Sequence, residues 1–403
     1  MGPRAAADLN LVLPMSLFVT FAIILFQLTA EAQLPAAHSR QSCGKVLSVS
    51  PGISVPTDIV RKSTSKRAAL RQLEIKKTAY FLAPSGRELA YDFIPPQRPD
   101  LPTLVSIHGL GDSRQRLQPF ATRALQDGLG LLRMDLNGHG ETLKQALAKG
   151  KMLRSQDHHY DSNIEDILAL IIHSGIKKII LAGHSYGGGL SLKLGDRVAL
   201  NQVTHGLELQ LIVMLAPYVQ RIDKYWENVA MNPFQSTLGS WSDVPRGYQE
   251  FFMNLFGTQQ IRDFFQDPVS DPVFHNQFRQ YFTQRMESEV QRPLTLEESE
   301  WVEYQSNTAN MTMKEARGLD YLNPLIPLPS VDAPIILVGS LYDEIVPSSQ
   351  LQQFDLRLKN EQKSVMFKLL KENHFGHFFP QTHGEMIYDQ TIGEFLQSLR
   401  SRN

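Results

Sequence analysis

Short apolar runs alternate with segments of helical spacing along most of this chain. Residues 77–83 and 88–94 read as two strands joined by the turn Ser85-Gly86-Arg87. Residues 102–107, 129–134, 177–183, 207–215, 333–338 and 364–370 are near-continuous hydrophobic runs, the pattern of strands covered on both faces. Residues 114–126, 160–172, 190–200, 349–357 and 391–399 carry apolar side chains at helical spacing. This order predicts an α/β fold: a mostly parallel twisted sheet with helices on both faces. In such sheets the chemistry gathers beyond the carboxyl ends of the strands.

Residues 217–330 interrupt the rhythm. They contain no apolar strand run and are rich in aromatics, among them Trp226, Trp241, Phe251, Phe252, Phe256, Phe264, Phe265, Phe278, Tyr281, Phe282, Trp301 and Tyr304. So long an insertion is not a bare loop. It reads as a helical cap over the strand ends. Most of its aromatics are expected to fill the cap's own core, and the remainder to give the site an apolar roof.

The first residues form a separate region. Arg4 precedes an uncharged run, residues 9–30, and Ala30-Glu31-Ala32 offers a small-x-small cleavage site. The expectation is a signal peptide over 1–32 and export of the chain. The run is also just long enough to span a bilayer, roughly 20 residues, so a membrane anchor is the alternative. Residues 33–75 are an N-terminal extension. The core then occupies 76–216, the cap 217–330, and the rest of the core 331–403.

Composition narrows the class further. The chain has 403 residues, 42% hydrophobic and 20% charged, with a formal net charge of -1. That is globular material, and the near-neutral balance gives no reason to expect a nucleic-acid partner. Cys43 is the only cysteine, which excludes an intramolecular disulfide and a thiolate metal cluster. The basic stretch 61–77 is expected to be a solvated helix face rather than a lipid contact. Asp157-His158-His159-Tyr160-Asp161 lacks metal-ligand spacing and reads as a helix start, with Asp157 or Asp161 as cap. No cofactor and no metal are expected.

The most informative stretch is 177–189. An apolar strand ends in Gly183-His184-Ser185-Tyr186-Gly187, and a helical segment follows at once. A serine on so sharp a turn sits in strained backbone, and the residues two before and two after it must lack bulk. The turn lifts the Ser185 hydroxyl above the sheet. It also aims the free N–H groups of the following helix at any oxyanion formed there. A serine hydroxyl needs a base within reach, and that base needs an orienting group. Asp343 follows the 333–338 strand and is preferred over its neighbour Glu344. His374 and His377 both follow the last strand. Asp135 is also at a strand end but precedes the serine, and is expected to hold its own loop, 135–142.

These pieces, His108-Gly109, Asp135 to Gly140, Gly183 to Gly187, Gly339 to Pro347 and His374, resemble serine hydrolases of the α/β-hydrolase superfamily over roughly residues 76–399. Asn137 stands where Arg or Pro is commoner, and Asn373 where glycine is expected. The resemblance implies the α/β-hydrolase fold and a Ser185–Asp343–His374 triad, His374 being preferred to His377. It also implies an oxyanion hole made by the backbone N–H groups of Leu110 and Tyr186. A serine at the elbow argues against the superfamily's dehalogenases and epoxide hydrolases, which carry aspartate there. The leading expectation is hydrolysis of a neutral, apolar carboxylic ester through an acyl-enzyme. Lipase, aminopeptidase, thioesterase and C–C bond hydrolase are the enzymatic alternatives, with export counting against the thioesterase. A receptor or binding module on the same fold is the non-enzymatic one.

Overall fold

The computed structural model describes residues 78–151, 159–220, 290–315, 319–343, 345–372 and 375–401, with shorter pieces between 279 and 287. The N-terminal 77 residues, with Cys43, the basic stretch and the apolar run, lie outside the described residues. So do 152–158 and 221–278.

Eight strands form one sheet: β1 (Ala79–Leu82), β2 (Glu88–Ile94), β3 (Thr103–Ile107), β4 (Gly130–Met134), β5 (Lys178–His184), β6 (Glu208–Leu215), β7 (Ile335–Ser340) and β8 (Val365–Leu370). Their spatial order is β1-β2-β4-β3-β5-β6-β7-β8. The two contacts of β2 are antiparallel, and every pairing from β4 through β8 is parallel. Each strand lies where the apolar pattern puts it.

The continuous apolar runs follow from coverage on both faces. Along β3, β4, β5, β6 and β7, alternate residues enter two different cores. Val105, Leu132, Leu181, Ile212 and Leu337 join one core beneath the helices α3 (Tyr160–His173), α4 (Tyr186–Leu200) and α6 (Ser348–Asn360). Leu104, Leu131, Ile180, Val213 and Ile336 join the other, with α1 (Gln118–Gln126) and the closing helical run at Tyr388, Ile392 and Leu396. Each fully buried aliphatic side chain contributes about 1.5–3 kcal/mol relative to exposure. A charge placed in either layer would therefore disrupt the platform that carries the loops above it.

Helix α2 (Gly140–Ala148) follows β4, and α5 (Leu296–Glu315) lies in the insertion. Helix α5 starts with a capping box. Thr295 Oγ1 accepts the Glu298 N–H at 3.2 Å, and Glu298 accepts the Thr295 N–H at 2.8 Å. The start of α3 differs from the sequence expectation. Its N-cap is His159, with no side-chain cap bond, and Asp161 falls in the first turn. There the carboxylate complements the helix dipole without closing the cap.

Candidate active site

Ser185 sits between β5 and α4 with φ 54° and ψ -119°, a conformation outside the ordinary regions for a non-glycine residue. The turn is possible because the chain crosses itself where two residues have no side chain. A Cβ on Gly183 would lie 2.1 Å from the Gly187 carbonyl oxygen. One on Gly187 would lie 2.4 Å from the His108 carbonyl oxygen. The Ser185 N–H donates to Leu215 O at 2.9 Å, and its carbonyl accepts from Gly189 and Tyr218. Strained backbone is thus held by bonds to the neighbouring strand and to the helix it starts. Ser185 is partly exposed, while its neighbours His184 and Tyr186 are buried.

The loop after β3 closes against this turn. A Cβ built on Gly109 would be 3.2 Å from Ser185 Cβ, so the chain carrying the Leu110 N–H passes directly beside the serine. The Tyr186 N–H belongs to the first residue of α4. His108 fixes the loop. The Leu136 N–H donates to its Nε2 at 3.0 Å, which leaves the proton on Nδ1, 2.7 Å from Gly109 O. Thus the loops after β3 and β4 are tied through one imidazole.

Asp135 has the holding role read for it. Fully buried, it accepts the Arg114 N–H at 2.6 Å and the Glu141 N–H at 2.8 Å, and it pairs with the Arg114 guanidinium. Arg114 and Arg133 both also bind Asp92, at 3.2 and 2.8 Å. This buried ionic cluster anchors the loops after β3 and β4. His139, next to it, is buried, and its Nε2 finds no hydrogen-bond partner. Burial pushes its pKa down to about 4.

Asp343 is buried after β7. Its Oδ1 accepts the N–H groups of Ile345 and Val346, at 2.9 and 2.7 Å. His377 Nδ1 lies 3.0 and 2.9 Å from the two carboxylate oxygens. The histidine brought to the acid is therefore His377, where the sequence reading preferred His374. His374 lies outside the described residues, as does Glu344. The reason for the shift is visible in the connection after β8. Ser340 Oγ, at the end of β7, donates to the Phe375 carbonyl, which pins the chain there. The turn that follows, two residues on, delivers His377 to Asp343.

One further side chain of this site was missed. His184, the variable position before the serine, is buried and donates from Nε2 to the His377 carbonyl at 3.0 Å. Its ring lies 4.8 Å from that of His377. The pentapeptide carried no signal for it, since that position tolerates many residues.

A piece of the insertion reaches the site as well. Phe282 is buried against Gly111, with Leu110 and Val302 beside it. Trp301 is partly buried, with Lys144 Nζ 5.4 Å from its ring centre, and Tyr304 is exposed. Trp226, Trp241, Phe251, Phe252, Phe256, Phe264, Phe265, Phe278 and Tyr281 lie outside the described residues.

A parallel sheet, a strained serine at a strand-to-helix turn and an Asp–His pair on the last two strand ends define an α/β-hydrolase. Within that class, the model of the serine aminopeptidase family S33 matches residues 99–369, more than half of the chain, and the chain belongs to that family. Both His374 and His377 fall outside the matched stretch. A candidate esterase/lipase of Haemophilus influenzae is 34% identical over 93 residues, 23% of this chain and 29% of that protein. A Pseudomonas putida dihydrolipoyllysine-residue acetyltransferase component of an acetoin cleaving system is 38% identical over 91 residues, 23% of this chain and 22% of that protein. The chain thus matches less than a third of the length of these curated relatives. Among solved structures, a bacterial membrane phospholipase A aligns with a TM-score of 0.53 at 17% identity, over 96% of this chain and 99% of that one. An α/β hydrolase from a deep-sea metagenome aligns at 0.50 and 15%, over 79% and 97%. These likenesses are of fold. The protein is an α/β-hydrolase.

Proposed function

We propose that this enzyme hydrolyses neutral, apolar carboxylic esters through an acyl-enzyme on Ser185, with His377 as base and Asp343 as its orienting acid. The observation that carries this reading is the hydrogen bond from His377 Nδ1 to a buried Asp343 carboxylate whose Oδ1 also accepts two backbone N–H groups. With Nδ1 protonated and held there, Nε2 is the basic nitrogen. It takes the Ser185 hydroxyl proton as Oγ bonds to the ester carbonyl carbon. The resulting oxyanion accepts the Leu110 and Tyr186 N–H groups. Collapse breaks the ester C–O bond, and the alcohol leaves with the proton from His377. A water molecule then repeats the sequence on the acyl-enzyme, releasing the acid and restoring Ser185.

The apolar character of the substrate rests on the insertion, whose Phe282 packs beside Leu110 at the proposed oxyanion loop. Apolar pockets gain roughly 0.8 kcal/mol per buried methylene. For a series of p-nitrophenyl esters from acetate upward, kcat/KM should therefore rise with chain length until the pocket is full. A flat response would refute an acyl grip by the cap.

The family description favours one second reading, an aminopeptidase. Aminoacyl-amides with a free amino terminus, assayed beside the esters, separate the two, and a preference for them would replace the ester assignment. We further propose export by cleavage near Gln33, with membrane contact through residues 9–30 as the alternative. N-terminal sequencing of secreted material checks it, and an intact Met1 product in the membrane fraction would establish the anchor.

A further inference from the structure

We propose that His184 is the positioning residue of this site, holding the base through the main chain of His377. The proposal rests on the reading of His377 as base and goes beyond it.

His184 ends β5, immediately before the serine, so its backbone is fixed by the same strand that fixes Ser185. Its side chain is 1% exposed. From Nε2 it donates to the carbonyl of His377 at 3.0 Å, across 193 residues of sequence. The two rings stand 4.8 Å apart at 46°, and Phe378 closes the far side at 6.0 Å. The Nδ1 edge meets the other loops. A Cβ on Gly109 would lie 3.2 Å from it, Gln381 Nε2 is at 3.5 Å, and the Asp112 carboxylate is at 4.0 Å, held by Arg116 at 3.0 Å. One side chain therefore touches the loop beside the serine and the loop of the base.

The chemistry of the contacts fixes its state. Nε2 carries the proton that the His377 carbonyl accepts, and Nδ1 is bare. Burial pushes the His184 pKa down to about 4, with the neighbouring His377 acting in the same direction, so the ring is neutral near pH 7. A neutral donor suits this place. A cation there would oppose the imidazolium that His377 becomes during each half-reaction. Asp343 holds the His377 ring from Nδ1, and His184 holds its backbone. With both in place, the His377 ring is restrained at its side chain and at its backbone. A displacement of about 1 Å at such a distance costs roughly 100-fold in rate.

Two substitutions separate this role from packing. His184→Phe keeps the ring volume and removes the donor. His184→Gln loses ring volume but can present an amide N–H at the place of Nε2. The measurement is kcat and KM for one p-nitrophenyl ester, with melting temperature recorded beside them. The expected result is a kcat lowered about 100-fold for His184→Phe with KM little changed, and recovery of most of that loss in His184→Gln. If His184 only fills space, the order reverses, with the phenylalanine variant active and the glutamine variant impaired, and the proposal is overturned. Equal, full activity of both folded variants overturns it too. A His377→Ala control tells this failure from a wrong base. If that control keeps full activity, the reading of His377 is what has failed. Should His184→Phe not fold, His184→Leu and His184→Asn, which lack a donor at the Nε2 position, must still fall well below His184→Gln.

Discussion

Ser185 and its proposed base, His377, are held by different forces. At the elbow the constraint is steric. Backbone passes against backbone at Gly183 and Gly187, so closely that a single methyl group would overlap a carbonyl oxygen. At the loop of the base the constraint is directional. Ser340 holds Phe375, Asp343 holds the His377 ring, and His184 holds the His377 carbonyl. Steric fixing is written into adjacent residues and tolerates no added atom. Directional fixing is assembled from distant residues and fails one bond at a time. Mutations should therefore separate stability from activity differently in the two places.

The largest effect should come from Asp343→Asn. The asparagine oxygen can keep the Ile345 and Val346 donors, while its amide would face His377 Nδ1 and select the wrong tautomer. The expected loss in kcat is on the order of 10⁴-fold with the melting temperature nearly unchanged. Asp135→Asn, in contrast, should act through folding, since its partners are Arg114 and the Glu141 backbone. If Asp343→Asn and Asp135→Asn cost the same activity in folded protein, the assignment of the acid is wrong.

Gly187→Ala should invert that pattern. The added Cβ meets the backbone oxygens of Ile107 and His108, neither of which can move without shifting β3. Overpacking of this kind costs about 3 kcal/mol or more. Denaturant titration should show the loss of stability together with the loss of activity. A Gly187→Ala protein with wild-type stability would remove the steric half of the comparison.

Acid should weaken the fold through two buried histidines, one beside the elbow and one in the loop after β4. His139 and His184 have folded pKa values near 4, below the usual value of 6.5. Between those values the unfolded chain binds protons that the folded one does not, so stability falls as pH drops from about 6.5 toward 4. The total should be on the order of a few kcal/mol. Melting curves against pH check it, and replacing His139 by Gln should flatten them in part. A melting temperature independent of pH across that window would contradict the buried neutral state.

The smallest effect expected is in the insertion after β6. Phe282→Ala removes the ring over Gly111 from a cluster that is separate from both sheet cores. A roughly tenfold fall in kcat/KM with little change in the main unfolding transition is the expected outcome. Steady-state kinetics beside calorimetry would show it. A large loss of global stability would mean that Phe282 belongs to the core.

The same contrast explains what the sequence could reveal. All eight strands were legible: burial on both faces leaves continuous apolar runs such as residues 207–215 in the central ones, and the Ser85-Gly86-Arg87 turn marks the first pair. Ser185 was legible, because the sterics of its turn involve residues two positions away. Asp343 followed from its place directly after a strand. The sequence favours His374, whereas the histidine beside Asp343 is His377, because the Ser340–Phe375 bond, between residues 35 apart, sets the turn after β8. His184 left no trace at all. Its role depends on a carbonyl 193 residues away, and a carbonyl is present at every position.

The central claim, that His377 rather than His374 activates Ser185, is tested most directly by the rate of fluorophosphonate labelling in two single variants. Labelling consumes the serine nucleophile in one step and needs no knowledge of the substrate. Intact mass and peptide mapping should place one adduct on Ser185 of the wild-type protein. The account predicts that His377→Ala slows that reaction by several orders of magnitude, while His374→Ala labels at close to the wild-type rate. Rapid labelling of folded His377→Ala with slow labelling of His374→Ala would contradict it.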